Sequence, residues 1–108
     1  MRRGDLVTIA VGGDYGKPRP ALVVQADPFA ALPSVTVLRL TSDIDPEHLI
    51  RLTVPPTPQN GLRSLSQIMI DKAMTVMRVK IRETFGRLEE NALVEVERRL
   101  AVFLGVAR

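Results

Sequence analysis

Short β-branched and apolar runs, each stopped by proline or glycine, follow one another along most of the chain and give way to a single stretch of helical periodicity. That order restricts the chain to a mainly β architecture with one terminal helix. The first run, residues 6–11, ends at Gly12-Gly13. Residues 12–20 hold three glycines and two prolines and read as a loop. Ala21-Leu22-Val23-Val24-Gln25 is apolar without alternation until Gln25, the pattern of a central strand covered on both faces. Residues 35–40 and 49–54 read as a third and fourth strand, the latter stopped by Pro55, Pro56, Pro58 and the turn pair Asn60-Gly61. Residues 64–69 and the short 74–77 read as a fifth and sixth. Residues 78–85 fit either a strand or a single helical turn.

The end of the chain is the clearest segment. Leu93, Val96, Leu100, Phe103 and Leu104 fall on one face of an α-helix, and Gly105 stands where such a helix stops. Glu95 and Arg99, four apart with the acid first, suit its exposed side. Short strands at roughly 10-residue spacing closed by a helix predict a small barrel or sandwich. A length of 108 residues predicts one domain over 1–108.

The chain has no cysteine, which removes disulfides, thiolate metal sites and cysteine nucleophiles. No apolar run is long enough to cross a membrane as a helix, and Met1-Arg2-Arg3-Gly4-Asp5 leads into a strand rather than a signal segment, so the expected location is cytoplasmic. Formal charge is +3, and the basic surplus lies outside the mixed-charge C-terminal segment. This suits a polyanionic partner without requiring one.

Within Lys17-Pro18-Arg19-Pro20, the flanking prolines stiffen the backbone and aim the Arg19 guanidinium. A planar donor fork in a stiff segment suits phosphate; equally, it suits a tight turn or a pairing with a carboxylate. Thr41-Ser42 follows a strand directly, where hydroxyls either contact substrate or satisfy loop backbone. Asp71 ends the apolar run 68–70 and is either a reactive acid or a turn-former paired with Lys72. Asp43, Asp45, Glu47 and His48 cluster, but Pro46 interrupts them and the glycine and distal glutamate of a calcium loop are missing, so no metal is expected. His48 reads as a solvated loop histidine. Tyr15 is a candidate for stacking on a base. Gly12, Gly13 and Gly16 form no nucleotide cradle, and no cofactor is expected.

Arg3-Gly4-Asp5-Leu6-Val7, the segment 16–24, Leu40-Thr41-Ser42, Gly61-Leu62-Arg63, the segment 70–76, Phe85-Gly86-Arg87-Leu88 and the ending 100–105 together resemble, in order, the MazF/PemK family of toxin–antitoxin ribonucleases. The resemblance implies a small SH3-like barrel of the CcdB/MazF/PemK kind, a homodimer, and a metal-independent endoribonuclease that cleaves single-stranded mRNA at short sequences. It also implies a cognate antitoxin whose C-terminal segment fills the RNA groove. By the same resemblance Arg19, Thr41 and Asp71 are the catalytic positions, and Lys17, Ser42 and Ser66 are RNA contacts. Some family members carry a histidine in the first loop and an arginine where Met69 stands here.

Such an enzyme needs no activated water, because the RNA's 2′-hydroxyl attacks the adjacent phosphorus and leaves a 2′,3′-cyclic phosphate. The protein must accept one proton, supply another to the leaving 5′-oxygen and stabilise the phosphorane. Arg19 suits the charge, Thr41 a phosphate oxygen and Asp71 the base. Proton transfer by Arg19 itself is chemically awkward given its high pKa. Two other readings remain open: a non-catalytic CcdB-like toxin that poisons DNA gyrase through the end of its terminal helix, and a generic SH3-like binding module. Neither needs an arginine facing a threonine.

Overall fold

A computed structural model describes residues 1–10 and 17–106. Its elements are β1 (Asp5–Ala10), β2 (Pro18–Val23), β3 (Ser34–Thr41), β4 (Leu52–Val54), β5 (Ser66–Met77), β6 (Ile81–Arg87) and α1 (Glu90–Phe103), with short 3-10 turns at Asp27–Phe29 and Arg78–Lys80. Among the described residues the strands form one antiparallel sheet in the order β4-β5-β3-β2-β1-β6. The mainly β fold with one C-terminal helix is as the residue order predicts.

Successive side chains on a strand point to opposite faces, and both faces of this sheet are buried. Leu6, Leu22, Leu38 and Leu40 project to the face that α1 covers with Leu93 and Val96. Val7, Ile9, Ala21, Val23, Val35 and Val37 form a second cluster with Val76. This is why residues 21–24 show no polar alternation.

The strand boundaries differ from the sequence reading in three instructive places. β2 begins at Pro18, inside the segment read as a loop. Pro18 and Pro20 lie opposite Ala10 and Thr8 of β1. A proline cannot donate, so these pairs are the non-hydrogen-bonded kind, and the missing N–H groups point to the β3 side. There β2 and β3 pair only over 21–23 and 37–39, so nothing on that side asks for a donor.

The expected fifth and sixth strands are one, β5. Leu38 faces Ala73 while Leu40 faces Ile68, so the register slips and residues 69–72 take up the excess as a bulge that bends the strand. Asp71-Lys72 marks that bend rather than a break. β4 starts at Leu52, not at 49, because the backbone N–H groups of Ile50 and Arg51 go to His48 Nδ1 (3.2 and 3.3 Å) instead of a ladder.

Residues 78–85 resolve as the 3-10 turn followed by β6. The helix ends in a Schellman arrangement: Val106 N–H donates to the Ala101 carbonyl and Gly105 N–H to that of Val102, with Gly105 at φ +74°.

The connection from β4 to β5 is held down by Asn60, which is fully buried. Its Oδ1 accepts from Thr57 and Leu62 N–H (both 3.0 Å), and its Nδ2 donates to the Pro55 carbonyl and to Glu89 Oε1. The Asn60 carbonyl lies 2.1 Å from where a Cβ on Gly86 would stand, so only glycine fits in β6 at that point.

Candidate active-site groove

Where β2 and β3 separate, the sheet opens into a groove of about 650 Å³. The β2–β3 register places it in detail. Ala21 faces Arg39, Leu22 faces Leu38 and Val23 faces Val37. Continuing that register past Ala21 brings Arg19 opposite Thr41, on the same face as Ala21 and Arg39. Both Arg19 and Thr41 line the groove. Thr41 Oγ1 accepts the Asp43 N–H at 3.0 Å, which fixes the side chain and leaves the hydroxyl proton for another acceptor.

Lys17 and Ser42 are exposed at the groove, and Ser66 lies buried at its edge. Ser66 Oγ donates to the Ser64 carbonyl at 2.9 Å, so this hydroxyl shapes the 64–66 turn and offers a substrate only its lone pairs. Arg63 and Ser64 reach the groove from the connection that Asn60 anchors. Among the described residues, four cationic side chains, Lys17, Arg19, Arg39 and Arg63, therefore meet one carboxylate, Glu83, across from Thr8.

Asp71 stands elsewhere. It does not line the groove, and its carboxylate takes a two-point hydrogen bond from Arg51 Nε and Nη2 (3.0 and 3.3 Å). His48 Nε2 lies 3.7 Å from its Oδ2. The Arg51 guanidinium holds the Asp71 carboxyl below its ordinary pKa, against the opposing effect of burial. A carboxylate so stabilised is a poor proton acceptor. Glu83 is the carboxylate that lines this groove among the described residues.

His48 is half-buried rather than solvated; its Nδ1 accepts two backbone N–H groups, which leaves the proton on Nε2 facing Asp71. Asp45 Oδ1 accepts the Glu47 N–H, and among the described residues no three histidine, aspartate or glutamate side chains group as a metal site. Tyr15, Gly12, Gly13 and Gly16 lie outside the described residues.

The sequence reading did not single out Arg39, Arg63, Glu83 or Phe85, which also lines the groove. Leu38-Arg39-Leu40 alternates as any half-exposed strand does, and only the register identifies that face as groove floor. Glu83 and Phe85 fall in the segment whose period was ambiguous.

The chain matches the family model described as PemK-like, MazF-like toxin of type II toxin–antitoxin system over residues 2–104. It is 47% identical, over 99% of both chains, to a probable endoribonuclease MazF of Mycolicibacterium smegmatis. Its fold resembles a mycobacterial endoribonuclease solved in complex with its cognate antitoxin, at TM-score 0.85 and 17% identity over 100% of this chain and 98% of that one. It also resembles the Mycobacterium tuberculosis toxin MazF-mt6, at TM-score 0.81 and 17% identity over 96% and 99%. A third likeness is to MazF in a MazE–MazF crystal structure from Deinococcus radiodurans, at TM-score 0.77 and 22% identity over 97% and 95%.

Proposed function

The chain belongs to the PemK-like, MazF-like toxins of type II toxin–antitoxin systems and is an endoribonuclease of that kind, and from this premise we propose that it cuts single-stranded RNA in the groove between β2 and β3. The observation that carries the assignment is that Arg19 and Thr41 line one cation-lined groove just beyond the point where β2–β3 pairing ends. Arg19 neutralises the charge that builds on the phosphorane, and the Thr41 hydroxyl donates to a non-bridging oxygen. The 2′-oxygen bonds to phosphorus, the bond from phosphorus to the 5′-oxygen breaks, that oxygen takes a proton from solvent water, and the products are a 2′,3′-cyclic phosphate and a 5′-hydroxyl end. Glu83, the carboxylate on this groove, takes the 2′-hydroxyl proton, and Asp71 braces the fold. Lys17, Ser42 and Ser66 contact the strand beside the cut.

The residues fit this reaction without a metal or cofactor, since a guanidinium and a hydroxyl supply the electrostatics that a cation otherwise would. The relatives solved with antitoxins support a cognate antitoxin for this chain, and a segment seated in the groove would block RNA directly. Exposed Val102, Phe103, Leu104 and Val106 at the end of α1 favour a homodimer. Among the described residues no helix is long and apolar enough to cross a membrane, and the reading that goes with an mRNA substrate is one domain over 1–108 acting in the cytoplasm. The gyrase-poison alternative is not favoured, because the 47% identical relative is an endoribonuclease by name.

Purified protein incubated with single-stranded RNA in EDTA is expected to cleave, and Arg19→Ala and Thr41→Val to fail. Cleavage abolished by EDTA in the wild type, or undiminished in Arg19→Ala, refutes the site as drawn.

A further inference from the structure

The geometry points to Arg39 as a second phosphate-binding guanidinium of the groove, holding the RNA backbone phosphate next to the one gripped by Arg19 and Thr41. This rests on RNA being the strand that occupies the groove.

Arg39 sits on β3 directly across from Ala21, whose methyl leaves the face above it open to a long side chain. Its Nε is buried and meets no hydrogen-bond acceptor among the described residues. No other buried side-chain nitrogen or oxygen among the described residues lacks a partner. Arg3 is partnered by Glu97, Arg51 by Asp71, Arg87 by Asp5, and Arg99 by Glu95 and the Arg51 carbonyl. A buried Nε donor without an acceptor is unfavourable, and Arg39 as a residue is only half-buried at the groove, so the position is suited to an acceptor that arrives from outside.

The surroundings say which acceptor. Nε and one Nη of arginine present two parallel donors, matched by two oxygens of one anionic group. Lys17, Arg19 and Arg63 line the same groove, so the site favours a partner carrying many anions in series, as a nucleic-acid strand does. Along the extended β2–β3 register Arg19 is one diagonal step from Arg39, a spacing of about 7–8 Å in a regular pair. At that offset the two forks address successive phosphates rather than one.

The test uses the full chain and a single-stranded 2′-O-methyl RNA pool, which cannot be cut because the attacking hydroxyl is blocked. Dissociation constants are read by fluorescence anisotropy across a salt series. Arg39→Gln is expected to bind about 10-fold more weakly at low salt. It is also expected to flatten the plot of log affinity against log salt by about 0.7, the loss of one phosphate contact on a single strand. Arg39→Lys keeps the slope, since charge is retained. On cleavable RNA, KM rises by a similar factor while kcat changes far less.

Arg39→Met is expected to melt no lower than the wild type, because it removes an unsatisfied buried donor; a packing role for Arg39 would lower it. An unchanged salt slope in Arg39→Gln overturns the inference. So does a defect confined to binding of a glutamate-rich peptide, which would assign the guanidinium to a carboxylate partner. A wild type that binds no RNA at any salt would instead refute the reading of the groove beneath it.

Discussion

Two clusters of charge on this molecule are built from the same residue types and behave oppositely. Around Asp71, each group is answered: Arg51 donates twice to the carboxylate, His48 is tied through both ring nitrogens, and Arg99 reaches the carbonyls of Ile50 and Arg51 from α1. Among the described residues that line the groove, four are cationic and one is a carboxylate, and Arg39 Nε has no acceptor. Charges satisfied within the chain fasten segments together; a donor left without an acceptor beside a cavity, as Arg39 Nε is, waits for a ligand. The contrast separates brace from active site more sharply than residue type does, since an acid at a strand end looks alike in either role.

The strongest way to break the contrast is Arg19→Ala. It is expected to lower kcat by about 10²–10³, as the loss of a donor aimed at developing charge does, with the thermal midpoint almost unmoved. A large loss of stability would move Arg19 to the bracing class. Next comes Asn60→Ala, which removes two acceptor and two donor contacts from a buried side chain. It should cost about 2–3 kcal/mol in chemical denaturation and reduce cleavage indirectly, because Arg63 and Ser64 hang from that connection.

Asp71→Asn is the complementary case. The pair is partly exposed, so about 1–2 kcal/mol of stability is expected to go, with kcat within about threefold of wild type. A fall in kcat as steep as that of Arg19→Ala would return Asp71 to the chemistry.

The smallest effect is in pH. Asp71 is held below its ordinary pKa in the folded chain, so it stabilises the fold above the unfolded value, roughly pH 4, and this is lost as pH falls through the folded value. The difference in melting temperature between wild type and Asp71→Asn should therefore be steady from pH 7 to 5 and shrink below about pH 4. A difference that widens in acid would contradict the pairing.

The fold was largely legible because its strongest signals are periodic. Leu93 and Val96 on a helical face, and the uninterrupted apolar run over 21–24, each reported burial that the sheet and helix then supplied. Less legible was anything depending on a partner distant in sequence. Nothing near Asp71 announces Arg51, and nothing near residues 69–72 announces a slip of register against β3. Arg19 and Thr41 stand out by residue type and position and take catalytic roles from the resemblance, whereas Arg39 needed the pairing with Ala21 before its side of the strand meant anything. Pro18 and Pro20 read as loop residues because their cost to a sheet depends on whether a neighbour wants their N–H, and here none does.

Those two imino acids also limit how a polypeptide can engage this rim. An incoming extended segment cannot extend the sheet by lying along residues 18–20, since main-chain donors are missing at alternate positions where a new strand would seek them. Whatever occupies the cleft is held instead by side chains, so affinity there is decided by the chemistry of the guest's own groups.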